Sequence, residues 1–136
     1  MTLIRSYTAA DYKEVREILK EGNLFWAIDD TAEALERKIR ENPGTILVAE
    51  EAGRPVGNVF VVSDWNALIF RLAVRQDSRG GRIGPMLLQA AEEKLRSDGR
   101  TVASVIVDNN KKALQRGYEA LGYVPGELYR WMSKEL

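Results

Sequence analysis

Between an apolar run ending at Val74 and a helix-like run around Pro85 stands Arg79-Gly80-Gly81-Arg82-Ile83-Gly84. A helix start presents unpaired N–H groups and the positive end of its dipole, and glycines let a phosphate approach the backbone closely. Such a turn suits a pyrophosphate, and Arg79 and Arg82 can each add a charge-assisted bond to its oxygens. Two familiar phosphate loops fail on spacing. The dinucleotide fingerprint needs a second glycine where Arg82 stands, and the nucleotide-triphosphate loop ends in Gly-Lys-Ser/Thr, whereas Gly84 is followed by Pro85 and Met86. The plainer reading is a glycine-rich connection that lets a helix pack tightly on a strand, with both arginines merely solvated. Spacing alone does not separate the two.

Composition narrows the chemistry further. The chain has 136 residues with no cysteine and no histidine, so disulfides, thiolate nucleophiles, histidine triads and histidine- or thiolate-ligated metals are excluded. Any catalyst must use carboxylates, hydroxyls, amines, backbone dipoles or a bound cofactor, and no metal site is read. Twenty basic side chains balance twenty acidic ones, which removes the long-range field of a general nucleic-acid or anionic-membrane binder. No signal peptide, membrane span, repeat or linker is evident, so the chain reads as one cytoplasmic domain over residues 1–136.

The elements that must position the turn follow from periodicity. Leu3 to Tyr7 reads as a strand. Thr8 with Asp11 makes a capping-box-like start to a helix carrying Tyr12, Val15, Ile18 and Leu19 and stopped by Gly22. A second helix begins near Asp30, with Glu33 three residues on, and ends at Pro43 and Gly44. Thr45 to Glu50 and Pro55 to Ser63 form a hairpin, and Ala67 to Val74 a central strand. The Pro85 helix carries Leu87, Ala91 and Leu95 and ends at Gly99. Thr101 to Val107 is a strand, Lys111 to Leu121 a helix and Leu128 to Ser133 a last strand. The order β-α-α-β-β-β-α-β-α-β predicts an α/β fold: a mixed sheet with helices packed on it and an α/β crossover joining Ala67–Val74 to Thr101–Val107.

Leu72, Ala73 and Val74, then Arg79 to Gly84 and a Leu-rich helix, resemble the acyl-CoA-binding motif Arg/Gln-x-x-Gly-x-Gly/Ala of the GNAT superfamily of N-acetyltransferases. Arg79 and Gly84 match its ends, and Arg82 occupies the middle glycine position. Tyr118-Glu119-Ala120-Leu121-Gly122-Tyr123 resembles the superfamily's C-terminal Tyr-x-x-x-Gly-Phe/Tyr segment, and Asn110-x-x-Ala113 fits upstream with one extra residue before Tyr118. The resemblance covers essentially the whole chain. It implies a mixed, mostly antiparallel sheet whose central parallel pair, Ala67–Val74 and Thr101–Val107, splays into a V. Pantetheine would lie there as an added pseudo-strand against Leu72 and Val74, with the pyrophosphate on the amides from Gly80 to Gly84.

It also implies acetyl transfer from acetyl-CoA to an amine acceptor. Without cysteine the amine must attack the thioester directly in a ternary complex. A backbone N–H near Leu72 to Val74 would hold the oxyanion, and Tyr118 would be the acid for the departing sulfur. By periodicity alone Tyr118, with Leu114 and Leu121, suits a core face instead. Phe25, Trp26, Asp29 and Asp30 lie where the superfamily places a substrate-facing segment, although the two aromatics would also serve as core and Asp30 is already explained as a helix cap. Trp65 and Trp131 carry no stronger message.

Taking a CoA thiol as similar to cysteine at ~8.5, keeping the thiolate at pH 7 costs about 2 kcal/mol, whereas stripping a lysine amine of pKa ~10.4 costs about 4.6. An α-amine near ~7.7 costs only about 1 kcal/mol. No acidic residue lies within Ala67–Val74, which favours a low-pKa amine or a water chain ending at Asp64 or Asp29. Two rivals stand: a CoA-binding regulatory module without turnover, and an RNA contact through Arg-Gly-Gly-Arg, which zero net charge and a single copy disfavour. A homodimer paired through sheet edges or terminal strands is left open.

Overall fold

The structure is a computed structural model and describes residues 1–64 and 66–136; Trp65 lies outside the described residues. It forms two compact units, residues 1–105 and 106–136.

In the first unit β1 (Thr2–Ser6) leads to Thr8, whose amide donates to Asp11 Oδ2 at 2.9 Å in the expected capping box. A single 3-10 turn then opens α1 (Tyr12–Glu21). Val15, Ile18 and Leu19, spaced three and one residues apart, are fully buried on one face of α1, and each such burial stabilises by about 1.5–3 kcal/mol. The second helix, α2 (Ala32–Glu41), does not start from Asp30. Thr31 is its N-cap, in extended conformation, with Oγ1 accepting from the Ala34 amide at 3.1 Å. The Asp30 carboxylate is thereby released from capping.

The hairpin is β2 (Ile46–Glu51) and β3 (Arg54–Val62), closed by Ala52 and Gly53, both at positive φ as a two-residue primed turn needs. With β4 (Leu68–Val74) and β5 (Ser104–Val105) the sheet runs in the order β1-β2-β3-β4-β5. All pairs are antiparallel except β4–β5, so the fold is the expected mixed, mostly antiparallel α/β sheet with flanking helices. β3 is the strand buried on both faces. Its Phe60 joins Val15, Leu19, Leu35, Ile46 and Val48 on the side of α1 and α2, while Gly57 meets Leu87 and Ile83 of α3 (Ile83–Ser97) on the other. The strand expected over Thr101–Val107 shrinks to two residues, because parallel pairing with β4 is confined to Leu68–Ser104 and Ile69–Val105. The parallel pair therefore stands at one end of the five strands.

In the second unit α4 spans Lys112–Ala120. Asp108 opens it, accepting from the Asn110 amide on Oδ1 (2.8 Å) and from the Lys111 amide on its carbonyl (2.9 Å). Gly122, at φ +96, ends it, with the Tyr123 amide returning to the Tyr118 carbonyl at 3.1 Å. The expected last strand over Leu128–Ser133 does not form, and residues 123–136 have no helix or strand. Leu128, Tyr129, Trp131 and Met132 are each at least 75% exposed, so the apolar pattern there has no surface to bury against.

Candidate active site

The site is organised by a break in β4. Asn58 pairs with Ala73 and Phe60 with Phe70, so β4 carries one residue more than β3 over the same stretch. The bulge contains Arg71 at φ +50, a left-handed conformation uncommon for a side chain of this size. Asn58, fully buried, bridges the interrupted ladder by donating Nδ2 to the Arg71 carbonyl at 2.9 Å. Pairing with β5 stops at Ile69, one residue before the bulged segment begins. Beyond the bulge the Arg75 amide donates to Val56 of β3 at 2.7 Å; by alternation, the peptide groups of Leu72 and Val74 face the opposite edge, where β5 no longer pairs. Among the described residues, the pairing of β4 with β5 is thus limited to Leu68 and Ile69.

A cleft of about 170 Å³ continues from this edge, lined by Val74, Ser78, Arg79, Gly80, Gly81, Ile83, Gly84 and Pro85. A Cβ placed on Gly80, Gly81 or Gly84 meets nothing within 4 Å, so tight packing does not require glycine at any of the three. Only Gly80 has a backbone reason, at φ +82. The glycine that admits α3 to the sheet is Gly57, where a Cβ would lie 2.9 Å from Leu87 Cδ1 and 3.0 Å from the Ala73 carbonyl. Close packing of the helix therefore does not explain the glycines of the turn, and that job belongs to Gly57 of β3, although Arg79 and Arg82 are both exposed. Arg82 is the exposed N-cap of α3 and gives no side-chain cap. The first-turn amides of Ile83 and Gly84 precede the first i to i−4 bond, from Met86 to Arg82 at 3.0 Å. Arg79 folds back, donating Nε to the Val74 carbonyl at 2.9 Å, which uses one acceptor of the open edge and ties the guanidinium to the cleft.

Of the acceptor-side candidates, Phe25 is half-buried beneath Lys20, whose Nζ stands 5.2 Å from the ring centre, and Trp26 is 46% exposed. Asp29 is exposed, and its carbonyl accepts from Lys38 Nζ at 3.1 Å. Its neighbour Asp30 is the carboxylate that reaches β4: Oδ2 accepts from Arg71 Nη2 (3.0 Å), Arg71 Nε (3.2 Å) and the Trp26 amide (2.8 Å). Asp64, the other proposed proton sink, is exposed. Sequence reasoning missed Arg71, although a lone cation inside Leu68-Ile69-Phe70-Arg71-Leu72 was the available signal. It placed Asp30 on the substrate-facing segment but explained it as a helix cap, a role that Thr31 takes instead.

In the second unit Tyr118 is half-buried, and its ring packs edge-on to Tyr123 with centres 5.5 Å apart. Burial pushes its phenol above the usual tyrosine range, so the hydroxyl stays protonated at neutral pH. Leu114 and Leu121 are exposed, so the face they share with Tyr118 is not a buried core. Asn110 is exposed in the turn before α4.

A family model described as the acetyltransferase (GNAT) family matches residues 12–123. An acetyltransferase of Sodalis glossinidius is 31% identical over 121 residues, which cover 88% of this chain and 85% of that protein. Ard1 from Thermoplasma volcanium superposes with a TM-score of 0.79 at 23% identity, covering 93% of this chain and 84% of its own. An N-acetyltransferase from Staphylococcus aureus superposes at 0.77 and 18% identity, covering 90% and 82%.

Proposed function

Because the chain belongs to the acetyltransferase (GNAT) family and is an acyltransferase enzyme, we propose that it transfers acetyl from acetyl-CoA to a primary amine by direct attack in a ternary complex. The acceptor is a peptide N-terminus, a lysine or a small-molecule amine. The observation that carries this reading is the glycine turn. Its residues leave open space above Gly80, Gly81 and Gly84, at the start of a helix and beside the part of β4 that β5 does not pair.

In this reading the pyrophosphate rests on the amides from Gly80 to Gly84, with Arg79 and Arg82 as phosphate-side charges. Pantetheine pairs along Leu72, Ala73 and Val74, where the Arg79 bond must yield or be shared if Val74 is to accept from it. A backbone amide of that same stretch holds the oxyanion. Tyr118 protonates the leaving sulfur and Asn110 assists CoA binding, both assigned from their places in the family's C-terminal motif. Phe25, Trp26 and Asp29 face the acceptor. Since the chain has neither histidine nor cysteine, amine deprotonation is the hardest step for a lysine and nearly free for an α-amine.

Melting with and without acetyl-CoA, followed by thiol release with an amine panel, tests the proposal. Acetyl-CoA at one hundred times its dissociation constant should add about 2.7 kcal/mol of stability. A shift without thiol release leaves a CoA-binding module. No shift removes the assignment of the turn.

A further inference from the structure

The contact between Asp30 and Arg71 has features that a merely structural ion pair does not need. Asp30 is 1% exposed, yet three donors converge on Oδ2 while Oδ1 is buried with no hydrogen-bond partner among the described residues. A buried pair with one oxygen unsatisfied is a poor way to add stability. Its partner stands on the extra residue of β4 at φ +50, with the guanidinium 5.7 Å from the Phe60 ring centre and 5.5 Å from that of Phe70. Backbone strain, an orphaned acceptor and a desolvated cation thus coincide where β4 loses β5.

The pair also ties two segments far apart in the chain. The Trp26 amide donates to the same Oδ2, the Asp30 amide returns to the Trp26 carbonyl at 2.9 Å, and the Tyr12 hydroxyl donates to the Asp30 carbonyl at 2.8 Å. Residues 26–30 form a small closed loop whose link to the sheet runs through Arg71. Exposed on that loop are the side chains of Trp26 and Ile28.

We infer that Asp30 and Arg71 are positioning residues for the amine acceptor: they dock the Trp26–Asp30 loop on the β4 bulge, so that the acceptor-facing side chains are set relative to the strand edge that presents the thioester. This rests on the acetyl-transfer reading above. It assigns acceptor selection to a pair that does not line the cleft at the glycine turn.

The test uses Asp30→Asn and Arg71→Lys in the full chain, with a free-N-terminus tetrapeptide, Nα-acetyl-lysine and putrescine as acceptor probes. For the probe the wild type turns over best, each variant should raise acceptor KM by about tenfold and leave acetyl-CoA KM within about twofold. Backbone amide exchange over residues 22–31 should speed up in both, while the remainder of the sheet keeps its protection. A general structural defect would not split the two KM values. If Asp30→Asn does not fold, Arg71→Lys, which keeps the charge and loses the fork, carries the test alone. Unchanged acceptor KM, or both KM values rising together, overturns the inference while leaving the enzyme assignment standing. Wild-type protein that binds acetyl-CoA but acetylates none of the probes, or binds none, overturns the acetyl-transfer reading and this inference with it.

Discussion

Gly57 of β3 and Leu87 of α3 approach so closely that a methyl group on the glycine would stand 2.9 Å from Leu87 Cδ1. Ile83 Cγ2 lies at 3.2 Å from the same point and the Ala73 carbonyl at 3.0 Å, so the obstruction includes backbone. Leu87 is fully buried and has no room to retreat. Gly57→Ala should therefore destabilise the fold by about 1–3 kcal/mol, the usual cost of overfilling a packed core. Urea unfolding measures it, and a midpoint equal to that of the wild type would show that α3 can move freely off the sheet.

Gly84 makes the opposite prediction. It sits in the first turn of α3 with open space beyond it, so Gly84→Ala should stabilise the ligand-free protein by up to about 0.5 kcal/mol through helix propensity, less than the change is worth in a helix interior. The motif that Gly84 matches admits alanine at this position, so the acetyl-CoA melting shift should be kept. Calorimetric melts with and without acetyl-CoA read both effects. A variant that loses stability would show that the space above Gly84 is not open in the ligand-free protein.

Tyr118→Phe removes only a hydroxyl. Turnover should fall by about 100-fold or more, the ordinary scale of general-acid catalysis, with the acetyl-CoA shift preserved. Because burial raises the phenol, the wild-type rate should hold through neutral pH and decline only on the alkaline side of the usual tyrosine range. Equal turnover in wild type and variant, measured by thiol release, would leave the hydroxyl no chemical role.

Acid stability should depend on Asp11. Burial works to raise its carboxyl, but the Arg5 fork, at 2.8 and 2.9 Å, and the Thr8 amide outweigh it and hold it below the usual range. A carboxylate depressed in the folded state contributes stability above its unfolded pKa, and that contribution is lost as pH falls through the folded value, here below about pH 4. Asp11→Asn should cost about 1.5–3 kcal/mol at neutral pH and flatten the acid limb of the unfolding midpoint. Some slope should remain, since the Ser63 hydroxyl and Lys94 hold Asp98 down in the same way. Parallel acid limbs for wild type and variant would refute the pairing.

The helices were readable because their information is local. Val15, Ile18 and Leu19 recur at a spacing that only one backbone period brings to one face, and the Thr8–Asp11 box spans a single turn. Thr31 was passed over for Asp30 because both residues are good caps one position apart, and sequence cannot say which side chain has a better use elsewhere. The strands were less legible. Alternation in Leu128–Ser133 marks side chains that want burial but does not supply a neighbour, and none forms. β5 is short for a related reason: its length depends on how far β4 continues without a bulge.

The chemistry this chain can attempt follows from its residue types: no thiol, no imidazole, and glycines between two arginines at a helix start are properties of composition and short spacing, which survive in any conformation. Asp30 and Arg71 stand 41 residues apart, and the extra residue in β4 exists only relative to β3. Contacts of that kind depend on which distant surfaces come to share one dry region, and burial, which sets their strength and their geometry, is a property of the folded whole.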